Sequence, residues 1–157
     1  MEIIKTIDSY YLSLGFAPKV LEANVHEQFS GENIFLEEEE GDDNYWLADP
    51  DLSGKDAFIS LDLRQYKNVT GFKIKNTKNG KDKNWGTKDF TIFENEVVLL
   101  SDQLADIQEM EGEVPTIEVS FDSPRLIRFI KFQIDSFYGQ GGGLQYFSVE
   151  GNTLDMF

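Results

Sequence analysis

From Ala57 onward, short runs in which apolar and polar residues alternate recur at close intervals, broken by turn-forming residues. A chain punctuated in this way folds as an all-β sandwich or barrel. Over 57–63, AFISLDL sets Ile59, Leu61 and Leu63 against Phe58, Ser60 and Asp62. Over 68–94, Phe72 and Ile74 alternate with Lys73 and Lys75, and Phe90 and Ile92 alternate with Asp89, Thr91 and Phe93. These read as half-buried strands with one solvated face. The polar segment 76–87, NTKNGKDKNWGT, lies between them. It is too long for a tight turn and is the kind of ordered loop on which binding residues sit.

Further strands are expected over 19–25, 96–100, 115–121 and 145–150, with Gly151 ending the last. Residues 126–134, LIRFIKFQI, carry apolar side chains on both parities. That pattern suits a central strand buried on both faces or broken in register. A helical turn is expected from Ser30 or Asn33 through Ile34 and Leu36, and another over 103–110. Residues 137–143 form a glycine-rich turn, and Tyr45 and Trp46 return to the interior after the acidic loop 37–44. Ahead of the strands, Ile3, Ile4, Ile7, Tyr10, Tyr11 and Leu14 recur at spacings of three and four, the stripe of an amphipathic helix. Gly15 and Pro18 stop it. The expected organisation is an N-terminal helix and lead-in over 1–18, a β-sandwich domain over 19–151 and a tail over 152–157.

The 157 residues suffice for one domain with a sizeable core. The net charge of −15 argues against nucleic acid, which requires a basic surface. No run approaches the ~18 apolar residues of a membrane span. The absence of cysteine excludes thiolate chemistry. With the lack of a leader-like N-terminus, it points to a cytoplasmic location. Six of the 14 basic residues fall between Lys73 and Lys88, which makes the long loop locally basic.

The chain lacks a catalytic constellation. It has one histidine, no cysteine and no G-x-S-x-G. Gly141–Gly142–Gly143 is followed by neither a Lys–Ser/Thr pair nor a helix start, so it is not a phosphate loop. A non-enzymatic role is expected. Sugar recognition needs an aromatic platform and planar polar groups. Trp85 and Phe29 are candidate platforms, with His26, Asn79, Lys81 and Asn84 to pair hydroxyls. Protein recognition needs aromatic anchors ringed by polar groups, which Trp85, read as exposed, with Lys81 and Lys83 would supply.

Four pieces in order resemble the discoidin, or F5/8 type C, domain family. They are the Ser30–Asn33 segment leading to Tyr45–Trp46, ISLDL over 59–63, VTGFKIKNTKNG with WGTKDFTIF over 69–93, and RFIKFQIDSFYGQGGGLQYFSVEG over 128–151. The resemblance implies an eight-stranded antiparallel jelly roll of the galactose-binding-like class. It implies binding of glycans, phospholipid headgroups or proteins through loops at one end. By position, the loop carrying His26, Gln28 and Phe29 and the loop 76–87, with Asn79, Lys81, Lys83, Asn84 and Trp85, resemble the family's binding loops. Many members hold a structural calcium near the acidic loop. Here Asp42 and Asp43 stand in that loop, but Tyr146 occupies the place of a further acid in the last strand, so no cofactor is expected. With its acidity and extra helix, the chain is expected to be an intracellular protein-interaction subunit. The alternative is a lectin-like carbohydrate-binding module using the same loops. Membrane binding is disfavoured by the charge.

Overall fold

The computed structural model describes residues 18–26, 30–35, 45–48, 57–77, 84–110, 112 and 114–153. The expected N-terminal helix lies outside these residues. The strands are β1 (Lys19–Ala23), β2 (Trp46–Leu47), β3 (Phe58–Asn76), β4 (Asp89–Glu94), β5 (Val97–Gln103), β6 (Ile117–Ile134) and β7 (Gly143–Thr153). A 3-10 turn, Gly31–Phe35, sits between β1 and β2, close to where Ser30 and Asn33 signalled it.

β3 and β6 are 19 and 18 residues long. Straight, each would span about 60 Å at ~3.3 Å per residue. Both are instead folded over. Their mutual pairing slips between Asp62 and Lys67 and again between Val69 and Gly71. At the first slip Arg64 adopts φ 75°, and Asp62 Oδ1 accepts the Arg64 N–H at 2.8 Å. A short carboxylate that caps its own backbone two residues on is how aspartate turns a chain. At the second slip, residues 121–124 of β6 find no partner on β3, and Pro124, which has no N–H to offer a ladder, sits there. The separate strands legible over 57–63 and 68–75, and over 115–121 and 126–134, are thus the two legs of each bent strand.

The legs build two layers. Phe58–Asp62 pairs with β1 on one side and with Phe129–Gln133 on the other, and β4 and β5 continue that layer. Lys67–Asn76 pairs with β7 and with the Ile117–Ile127 leg of β6, and β2 adds to β7. All these pairings are antiparallel. Residues 126–134 run centrally, and of the two readings of their two-parity pattern it is the register break that is found, opposite Asp62 and Lys67.

Between the layers, Ile59, Leu61, Phe90, Ile92, Phe132 and Ile134 meet Phe72, Ile74, Leu144 and Phe147, all buried. The Phe132 ring lies 5.0 Å from Phe90, 5.7 Å from Phe147 and 6.5 Å from Trp46. One side chain therefore bridges both layers and the short strand β2. Leu104 and Ile107 anchor the acidic segment after β5, which makes a single turn closed by Met110 N–H to the Ile107 carbonyl.

Two expectations fail locally. Gly151 does not end the last strand. It pairs with Val69 inside β7 at φ 149°, and a Cβ there would lie 2.1 Å from the Asn68 carbonyl oxygen. Glycine at this point lets β7 pass close against β3 and continue to Thr153. Lys75, placed on the solvated face by alternation, is 8% exposed, whereas Lys73 bridges Glu118 and Glu150 at 3.8 and 3.6 Å.

Candidate functional site

The fold brings five segments to one end of the sandwich. Asn24 N–H reaches the Phe58 carbonyl, His26 N–H the Leu47 carbonyl and Ala48 N–H the Gly142 carbonyl, at 2.8–3.0 Å. Thr87 bridges to Phe137, and its hydroxyl donates to the Gly143 carbonyl at 2.7 Å. With Leu104 N–H reaching the Lys88 carbonyl at 2.8 Å, the loop after β1, the strand β2, the end of the long loop before β4, the turn after β5 and the glycine-rich turn before β7 are tied together.

Asn76, at the last position of β3, closes the neck of the long loop. Its Nδ2 donates to the carbonyls of Thr87 and Ala105, and its Oδ1 accepts the N–H groups of Thr77 and Thr87, at 2.9–3.1 Å. Four bonds to one buried amide satisfy both ends of the side chain and pin entry and exit of the loop to each other. Nothing in the local sequence distinguishes this asparagine from its neighbours Asn79 and Asn84. Its role follows from position alone.

Trp85 is 5% exposed, so the expectation of an exposed platform or anchor is corrected. Its ring lies over Gly141 and carries the His26 imidazole, with ring centroids 4.5 Å apart and planes tilted by 32°. Indole is the largest apolar surface available, and tucking it under the loops outweighs presenting it to water. The half-buried imidazole it supports is the group nearest the surface of this stack.

Asn84 is committed to the loops as well. Its Nδ2 donates to Asp106 at 3.0 Å, its Oδ1 accepts Gly86 N–H at 2.8 Å, and its carbonyl accepts Gln140 N–H at 2.7 Å. Gln28, Phe29, Asn79, Lys81 and Lys83 lie outside the described residues, as do Asp42 and Asp43. Among the described residues no group of three His, Asp or Glu side chains is gathered to hold a metal.

A polar rim that the loop sequence did not announce flanks Asn84. The Asp89 carboxylate accepts the Ser136 hydroxyl at 2.6 Å and the Gln103 amide at 3.0 Å. Those donors hold its carboxyl below the usual aspartate range. The Tyr138 hydroxyl donates to the Leu104 carbonyl, and Lys88 Nζ lies 5.8 Å from the centre of its ring. Burial, with the charges of Asp106 and Asp89 nearby, raises the phenol above its ordinary value.

No protein-family model and no curated protein matches the chain. Solved structures do. The family 32 carbohydrate-binding module of C. perfringens NanJ, in complex with galactose, matches at TM-score 0.60 and 16% identity, over 85% of this chain and 91% of that one. CBM32-3 from a family 31 glycoside hydrolase of Clostridium perfringens matches at TM-score 0.64 and 10% identity, over 87% and 92%. A Streptococcus pneumoniae fucose binding module, SpX-3, matches at 0.57 and 10%, over 87% and 95%. The chain has the discoidin-type, galactose-binding-like fold.

Within this discoidin-type sandwich, the expectation of an intracellular protein-interaction subunit is corrected. The neighbours are carbohydrate-binding modules, one with galactose bound and one a fucose binding module. Trp85, the expected aromatic anchor, is buried, and Lys81 and Lys83, expected to ring it, lie outside the described residues.

Proposed function

We propose that this chain is a non-catalytic carbohydrate-binding module that takes a monosaccharide or the end of a glycan at the loop end of the sandwich. The observation that carries the reading is the His26 imidazole, half-buried and held on the sunken Trp85 indole, where five segments of a galactose-binding-like fold converge. An imidazole stacked on a buried indole, on a residue whose backbone N–H is bonded to Leu47, is a planar polar group of the kind that pairs sugar hydroxyls. Trp85 supports that imidazole and is not itself the sugar platform. The neighbours that bind galactose and fucose have the same fold, and this supports the class of ligand.

Isothermal titration with galactose and fucose, alongside a glycan array, tests the proposal. Binding to one of them is expected, and His26→Ala should weaken it about tenfold or more, the scale of one lost hydrogen bond to a buried polar partner. Because His26 is half-buried and outside the main core, the variant should melt within a few degrees of the parent. A folded protein that binds neither sugar and nothing on the array would end the sugar reading.

A further inference from the structure

We infer that Gly141 is a positioning residue for the sugar site. By lacking a side chain it sets how deep the Trp85 indole sits, and so where the His26 imidazole is held. The inference rests on the carbohydrate reading for its functional consequence, but its geometry stands apart from any sugar.

Gly141 is buried, and a Cβ built on it would lie 2.6 Å from Trp85 Cζ3 and 2.8 Å from Cε3. Both are far inside van der Waals contact, and both atoms belong to the six-membered ring of the indole. The backbone of Gly141 does not lie in the positive-φ region, so conformation does not demand glycine here. Space does. The ring cannot withdraw into water without giving up its burial, since it is only 5% exposed. Nor are the segments around it independent. His26 N–H is bonded to the Leu47 carbonyl and Ala48 N–H to the Gly142 carbonyl, each at 2.8 Å. The residue carrying the imidazole and the residue next to Gly141 are thus each tied to one of two consecutive residues, Leu47 and Ala48. An indole wedged between segments pinned in this way passes a displacement from Gly141 to His26, which lies 4.5 Å away ring to ring.

The test is a double-variant cycle on Gly141→Ala and Trp85→Phe, read in two ways. His26 is the chain's only histidine, so its ring-proton resonances report the stack without overlap. Galactose affinity reports the site. Gly141→Ala should move the His26 resonances and weaken galactose binding by about tenfold. Trp85→Phe removes the part of the ring that the new methyl would meet. In that background the new methyl meets only the milder contact with the Ala48 carbonyl oxygen, 3.2 Å away, so adding Gly141→Ala should change the resonances and the affinity far less than it does in the parent. His26 resonances that stay in place in Gly141→Ala, or losses that simply add in the double variant, would overturn the inference. If the parent protein binds fucose and not galactose, fucose affinity is the second readout; if it binds neither sugar and nothing on a glycan array, the sugar reading fails on its own and the resonances alone decide between these outcomes. If Gly141→Ala does not fold, recovery of folding in the double variant sustains the size match, and its absence overturns it.

Discussion

In the proposed site, a histidine and a tryptophan on separate loops would divide between them the work of reaching a ligand and of staying put. The sequence announced both as candidate site residues, because an aromatic in a polar run and a lone loop histidine are chemically conspicuous. Their pairing was not visible, since 58 intervening residues carry no record of which rings will touch. A second residue-scale arrangement is the corner at Asp62. Its carboxylate takes Arg128 Nε at 2.9 Å and Nη2 at 3.2 Å while also capping Arg64. The Arg128 hydrogen bond is the main reason its carboxyl is held below the ordinary range, with burial opposing. A lowered folded value means that the contribution is fully present above the unfolded value, about 3.9, and is lost as falling pH passes through the folded one. Asp62→Asn should therefore cost about 1 kcal/mol at neutral pH, the scale of a well-made surface pair. The gap between parent and variant in urea titrations should narrow as pH falls below the unfolded value of about 3.9 and close once it has passed through the lowered folded one. A gap that stays constant to low pH would show that the charge is not what holds this corner.

At the scale of elements, the alternating strands were legible because burying one face of a strand imposes a period of two. What alternation could not convey is that two of these strands belong to one folded-over β3 and two to one folded-over β6. That depends on unpaired residues at the corners, where the pattern is silent. The same limit applies to the loop end. The long loop was recognisable by its polarity, but its closure by Asn76 was not. Asn76→Ala removes four hydrogen bonds and leaves backbone groups of the buried Thr77 and Thr87, and the Ala105 carbonyl, without that partner. A loss of about 3 kcal/mol is expected. It should come with faster amide exchange at Thr77 and Thr87, read by hydrogen exchange with mass spectrometry. Unchanged exchange at those two amides would mean that the loop neck is held by other contacts.

For the molecule as a whole, Phe132 is the joint at which the two layers and β2 meet. Phe132→Ala should cost about 3–5 kcal/mol by lost transfer energy and cavity formation. It should lower the single thermal transition without splitting it, because both layers lose the same partner. A split transition in calorimetry would mean that the layers are stable separately. The sequence by itself determined the class of fold. Strand periodicity, turn residues and the order of the discoidin-like pieces are local or follow chain order, and burial of one face per strand leaves few architectures that satisfy them. Only the tertiary structure decided that His26 and Trp85, on separate loops, lie ring against ring. Whether an aromatic ring is a platform or a hidden support depends on the other segments that close over it, as Gly141 and His26 do over Trp85. Those contacts join positions whose separation along the chain carries no pattern to read.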